Sequence, residues 1–187
     1  MENLERLRRA GEDKALVIAA TGTGKTYMSA FDVMAFNPKR LLFLVHREDI
    51  LRSAEKTYKS LCKNKNITMG FYTGNSKEKE ADYLFSTVQT MCRNLEDFNR
   101  DDFDYIVIDE AHHSTSPTYE RILNHFIPKF LLGITATPER CDTGDIFQVF
   151  DNNVALEIRL NEALEHELIV PFHYFGITDI DAVDYSN

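Results

Sequence analysis

Short apolar runs punctuate the chain, and between them apolar residues recur three or four positions apart. Residues 15–20, 41–45, 105–108 and 130–135 are almost continuously apolar, the signature of strands covered on both faces. Residues 67–72, 83–87 and 154–158 read as further strands. Helical spacing fills the intervals: residues 1–10 with Leu4 and Leu7, then 25–36, and then 48–61 with Ile50, Leu51, Ala54, Tyr58 and Leu61 on one face. Residues 89–95, 117–126, 145–150 and 161–168 read as shorter helices. Gly11 ends the first helix, Asn37-Pro38 stops the second, and Pro117 after Ser116 suits a first helical turn. Residues 75–80 form a charged loop. Strands alternating with helices predict an α/β domain with a mostly parallel sheet, right-handed crossovers and helices on both faces. Ligands of such sheets sit beyond the carboxyl ends of the strands.

Composition narrows the setting. The 187 residues are 43% hydrophobic and 27% charged, which suits one folded domain with a sizeable core. No run approaches the roughly 18 apolar residues of a membrane helix, and no signal-peptide pattern is present, so no membrane partner is expected. Cys62, Cys92 and Cys141 are widely spaced and odd in number, so they make neither a metal site nor a disulfide framework. A reducing, cytoplasmic setting is the expectation. The net charge of −9 is uneven: residues 101–187 hold 4 Lys/Arg against 17 Asp/Glu. An acidic chain gains little from neutralising phosphates. Any nucleic-acid contact must therefore come from a local surface, from backbone N–H groups or from a partner domain.

Two stretches carry chemistry. Between the first strand and the second helix runs Ala19-Ala20-Thr21-Gly22-Thr23-Gly24-Lys25-Thr26. Glycines there let successive N–H groups turn inward around a polyphosphate, and the following helix adds its free N–H groups and positive dipole end. Thr21, Gly22, Thr23, Gly24, Lys25 and Thr26 are the candidate phosphate cradle. Lys25 reaches the outer phosphates of ATP and the Thr26 hydroxyl ligates Mg²⁺. The general pattern begins with Gly where this chain has Ala19, a small residue that still lets the turn close. The second stretch is Asp109-Glu110-Ala111-His112, directly after the 105–108 strand. Asp109 is placed to hold Mg²⁺ opposite Thr26, and Glu110 to orient or deprotonate an attacking water. His112 and His113 are neighbours and so poor partners on one metal. His112 is expected to couple the nucleotide to a nearby surface. For His113, His125, His166 and His173 a structural role is expected.

These residues resemble a known family. Residues 19–26 look like motif I of superfamily 2 helicases and translocases, and Asp109-Glu110-Ala111-His112 like their DEAH-type motif II. Thr135-Ala136-Thr137 resembles motif III, which couples ATP state to nucleic-acid grip. Leu44-Val45-His46-Arg47 resembles motif Ia, and Ser86-Thr87-Val88-Gln89-Thr90 the next nucleic-acid motif. Val-His-Arg, Thr-Val-Gln-Thr and the 133–140 segment Gly-Ile-Thr-Ala-Thr-Pro-Glu-Arg are most similar to the DNA-acting branch, with its restriction-enzyme motor subunits and bacterial repair-type proteins. The resemblance implies a three-layer, RecA-like P-loop NTPase domain that hydrolyses ATP to move on DNA. It implies coupling roles for His112, Thr135 and Thr137, and nucleic-acid contacts from His46, Arg47, Gly74, Thr87, Gln89 and Thr90. Short polar groups where a strand meets a helix suit phosphate contacts that position without reading bases.

Motors of this family close ATP between two RecA-like domains, and the second supplies an arginine finger. No such second set of motifs occurs, nor does the glutamine segment that precedes motif I. Residues 1–170 are therefore expected to be the first motor domain of a longer protein, with 171–187 leading towards the second domain in cis. An RNA helicase of the DEAH type remains an alternative. So do another P-loop NTPase, such as a small-molecule kinase, and a module that keeps the fold without the chemistry.

Overall fold

The computed structural model describes residues 2–137 and 146–165. All seven strands among them are parallel, in the spatial order β3-β4-β2-β5-β6-β1-β7. The strands are β1 (Lys14–Ala19), β2 (Leu41–Val45), β3 (Met69–Tyr72), β4 (Tyr83–Thr87), β5 (Tyr105–Asp109), β6 (Phe130–Thr135) and β7 (Val154–Ile158). The helices are α1 (Glu2–Arg9), α2 (Lys25–Phe36), α3 (Glu48–Leu61), α4 (Val88–Arg93), α5 (Pro117–His125), α6 (Ile146–Val149) and α7 (Leu160–Glu165). The expected elements all form, with ends displaced by a residue or two. Strand 67–72 begins later, at Met69, because Thr68 instead pairs with the Asp82 carboxylate through its N–H and hydroxyl, both at 2.8 Å. Residue 145, residues 166–168 of the last predicted helix, the exit segment 171–187, Cys141, His166, His173 and the Pro138–Arg140 end of the motif III segment lie outside the described residues.

The central strands are buried on both faces, which explains their unbroken apolar runs. Alternate residues divide between two cores. Val17, Phe43, Phe85, Val107 and Leu132 pack beneath α2 and α3. Leu16, Leu42, Leu84, Ile106 and Leu131 pack on the opposite face against α4, α5 and α6, including Met91, Ile122 and Ile146. Two helical layers around one sheet make the three-layer α/β architecture expected from the sequence.

One polar cluster ties the layers together at the amino-terminal edge of the sheet. Asp32 of α2 is fully buried. It accepts two hydrogen bonds from the Arg8 guanidinium of α1, at 2.7 and 2.9 Å, and a third from the Tyr105 hydroxyl of β5, at 2.5 Å. Arg8 also lies over the Phe130 ring, 4.9 Å from its centroid. A buried carboxylate needs such partners, and removing one of a pair leaves the other charge uncompensated. At Gly133 of β6 an added methyl would run into the Phe150 ring.

Arg8→Ala should thus destabilise the chain by about 3–5 kcal/mol, because Asp32 would remain buried without its ion-pair partner. Gly133→Ala should cost about 1–3 kcal/mol through overpacking. Urea unfolding followed by circular dichroism reads both; a loss for Arg8→Ala within about 0.5 kcal/mol, the range of an ordinary surface change, would contradict the buried-pair account.

Candidate active site

The carboxyl ends of β1, β6 and β5 lie side by side. Ile18 is in register with Thr135, and Ile134 with Asp109. One strand separates β1 from β5, so their ends stand about 10 Å apart, two inter-strand spacings. That gap holds the two candidate stretches.

The loop after β1 is shaped by its glycines. Gly22 and Gly24 have φ of 89° and 80°, the left-handed region that glycine enters without strain. Thr23 folds back, its hydroxyl donating to Ala20 O at 2.7 Å. Gly24 precedes α2, whose first residue is Lys25. The Lys25 ammonium donates to Ala20 O at 3.3 Å, which lays the side chain over the loop. Burial pulls the Lys25 pKa below its ordinary value, while Asp109 and Glu110 oppose the shift. Beneath the loop, the buried Tyr58 hydroxyl of α3 lies 3.0 Å from Ser29 Oγ, which donates to Thr26 O at 2.8 Å. Nothing in the pattern of apolar positions distinguishes this Tyr58–Ser29 link from ordinary packing.

Asp109 has the parity of Tyr105 and Val107, so it points to the α2 face, where Lys25 begins. It is 8% exposed. Burial pushes its carboxyl up to about 6, and the neighbouring Glu110 adds to the shift. The Glu110 N–H, 3.0 Å from Asp109 Oδ1, and the Lys25 charge pull it back. Glu110 itself has φ 56° and ψ 49°, a left-handed conformation that non-glycine residues adopt at a cost. The sequence position alone did not reveal this conformation. A single 3-10 turn, Ala111–His113, follows. His112 Nδ1 lies 3.3 Å from Glu110 Oε2 and 3.1 Å from Thr135 Oγ1. The Thr135 hydroxyl also receives the Thr137 N–H at 3.2 Å. Thr21–Thr26, Asp109, Glu110, His112, Thr135 and Thr137 therefore converge on one end of the sheet.

The donor set fits a magnesium–nucleotide pair. A threonine hydroxyl and a carboxylate are the hard oxygen ligands that Mg²⁺ takes, with the remaining positions left to phosphate and water. Among the described residues no cluster of three or more His, Cys, Asp or Glu side chains could hold a metal unaided. A cation held partly by a bound nucleotide is consistent with that.

The remaining candidates line the adjoining edge, at the carboxyl ends of β2, β3 and β4. Gln89 Nε2 meets His46 Nδ1 at 2.8 Å, and Thr87 Oγ1 donates to Thr90 Oγ1 at 2.9 Å. Arg47 is exposed and paired with Asp49, Nη2 to Oδ2 at 2.9 Å. Gly74 sits in an exposed turn closed by Thr73 N–H to Ser76 O at 2.8 Å, with open space around it. His125 fills the expected structural role, its Nε2 lying 3.0 Å from Phe98 O. The His113 ring packs against both His112 and His46.

The profile of the family described as "Type III restriction enzyme, res subunit" matches residues 1–140. The yeast protein IRC3 of Saccharomyces cerevisiae, named as an ATP-dependent helicase, is 32% identical over 166 residues, 78% of this chain and 23% of that protein. The type I restriction enzyme EcoAI endonuclease subunit of Escherichia coli is 29% identical over 185 residues, 91% of this chain and 22% of that protein. The chain thus spans about a quarter of the length of the curated relatives it matches. Among solved structures, the Pyrococcus furiosus Hef helicase domain superposes with a TM-score of 0.66 at 19% identity, over 83% of this chain and 37% of that one. The restriction-modification enzyme LlaGI, solved with a DNA substrate mimic, gives 0.63 at 19% identity, over 89% of this chain and 20% of that one. At such identity the likeness establishes a shared RecA-like fold. Among the described residues no helix is long and apolar enough to cross a membrane.

The raised Asp109 pKa has a consequence for stability. The folded state holds its proton up to about pH 6, whereas the unfolded chain releases it near 3.8, so stability falls as pH rises through that window. Asp109→Asn should then stabilise the ligand-free chain by roughly 2–3 kcal/mol at about pH 7.5 and by little at about pH 3.5. Urea titrations across that range measure it; a gain independent of pH would contradict the buried-acid account.

Proposed function

The chain belongs to the res-subunit family of type III restriction enzymes, and on that premise we propose that it is the first, ATP-binding motor domain of a DNA helicase or translocase. The observation that carries the reading is that Lys25 at the start of α2 lies within electrostatic reach of Asp109 and Glu110 at the end of β5. Each residue then has one task. The Gly22–Gly24 backbone and the start of α2 receive the phosphates, and Lys25 neutralises the outer ones. Thr26 and Asp109 would hold Mg²⁺, which would supply charge neutralisation at the phosphates. Glu110 positions and deprotonates the attacking water. His112, hydrogen-bonded to Thr135 and beside Glu110, links that acid to the end of β6. His46, Arg47, Gly74, Thr87, Gln89 and Thr90 form the edge that meets the nucleic-acid backbone. The DNA substrate mimic carried by LlaGI in its solved structure supports a DNA substrate.

In the whole protein, residues 1–170 pack ATP against a second RecA-like domain reached through residues 171–187. An arginine supplied by such a domain is worth about 10³–10⁵ in rate, so the 187-residue chain alone should turn over ATP very slowly. Lys25→Ala should abolish binding of a fluorescent ATP analogue. Glu110→Gln should bind it as the parent does, yet lower the DNA-stimulated turnover of the full-length protein by at least about 10²-fold. Full turnover in Glu110→Gln removes the general-base assignment. Stimulation by RNA but not by DNA transfers the reading to an RNA motor.

A further inference from the structure

Three imidazoles lie end to end between the nucleotide site and the edge beside it. His112 stands next to Glu110 and Thr135, and its ring lies against that of His113, centroids 4.1 Å apart at 45°. His113 meets His46 nearly edge-on, at 4.8 Å and 78°. Tyr119 closes on His46 from another side, at 5.5 Å and 88°. His46 Nδ1 is 2.8 Å from Gln89 Nε2. An amide nitrogen only donates, so His46 Nδ1 accepts, and the neutral ring carries its proton on Nε2.

We infer that His113 and His46 are positioning residues that transmit the state of the nucleotide site to Gln89 through direct contact of their rings. The inference rests on the nucleotide reading above. It assigns His113 a task that neither its place in the sequence nor the motif resemblance gave it.

Coupling between sites needs an element with two discrete arrangements. Glu110 supplies one. Its left-handed backbone, φ 56°, is strained for a residue with a side chain and persists only while its surroundings hold it. The one-turn segment Ala111–His113 begins immediately after it. A return of Glu110 to ordinary backbone swings His112 and His113 as one piece. His113 then pushes on, or leaves, the His46 ring, and the Gln89 hydrogen bond moves with that ring. Both rings stay neutral near pH 7, because burial, with the neighbouring imidazoles, lowers the His46 and His113 pKa values. Their contact therefore carries no charge repulsion. The rest of the route is short: Gln89 lies in the first turn of α4, two residues after Thr87 and next to Thr90, and those two threonines hydrogen-bond to each other.

Nuclear magnetic resonance on the 187-residue chain tests this without turnover. The probe is a non-hydrolysable ATP analogue with Mg²⁺, added to saturation. The Gly22 and Gly24 amides report nucleotide binding; the Gln89 side-chain amide and the His46 ring nitrogens report transmission. In the parent chain both sets should shift. In His113→Ala the Gly22 and Gly24 shifts should remain and the Gln89 and His46 shifts should be lost. In His113→Phe, which keeps an aromatic edge against His46, they should return. Parent Gln89 and His46 signals that stay still while Gly22 and Gly24 move overturn the inference alone. So do Gln89 shifts that persist in His113→Ala, or a Phe variant that fails to restore them while its amide spectrum stays dispersed. Should His113→Ala lose its dispersed spectrum, the parent and the Phe variant decide the matter by the same signals. No shift at Gly22 or Gly24 defeats the nucleotide reading, and this inference falls with it.

Discussion

A carboxylate kept out of water beside a second acid is costly to ionise, and the end of β5 is built around that cost. Asp109 is almost fully buried, next to Glu110, and its relief comes from the Glu110 N–H and, more weakly, from the Lys25 ammonium across the end of β6. Lys25 is itself partly desolvated and held over its own loop. Neither charge is fully compensated by the other. A triphosphate with a divalent cation offers what both lack: anionic oxygens for the lysine and a cation for the acid. Pre-paid desolvation of this kind turns a loop and a strand end into a site, since ligand charges placed there interact in a medium less screening than water.

The scaffold makes that arrangement hard to avoid. Only one strand, β6, lies between β1 and β5, and all three run in the same direction. The loop after β1 and the acids after β5 are thus delivered to one end at a fixed separation. Side-chain parity along β5 then turns Asp109 towards the P-loop helix, and Glu110 follows with a left-handed backbone. The Arg8–Asp32–Tyr105 cluster fastens α1, α2 and β5 together at the opposite edge, while Tyr58 and Ser29 brace the first turn of α2. Among the described residues, the one left-handed non-glycine residue at this end of the sheet, Glu110, lies between the buried Asp109 and the Ala111–His113 turn.

Much of this was legible in the residues. Runs such as 41–45 and 105–108 are apolar at every position, because both sheet faces are covered, and such runs read as buried strands without ambiguity. The phosphate loop was legible because its demands are local: two glycines, a lysine and a threonine within one turn. What escaped depends on contacts between segments distant in sequence. The start of β3 moved because Asp82 captures Thr68 from fourteen positions away. Asp32 sits in an apolar stretch of α2 with no sequence sign that Arg8 and Tyr105 would surround it. The ring contact of His113 with His46 was invisible for the same reason, since His46 belongs to another strand end. Arg47 shows the converse: it lies at the expected edge, yet its guanidinium turns to Asp49 two residues on.

The claim on which all of this stands is that a single metal-bound triphosphate touches both stretches at once. Mn²⁺ replaces Mg²⁺ at oxygen sites and broadens nearby amide signals. With a non-hydrolysable ATP analogue and Mn²⁺, the account predicts that the amides of Gly24–Thr26 and those of Asp109–Ala111 broaden together, while Arg40 and Asp104 at the far end of the sheet stay sharp. Broadening confined to one of the two stretches, or spread evenly over the chain, would contradict it.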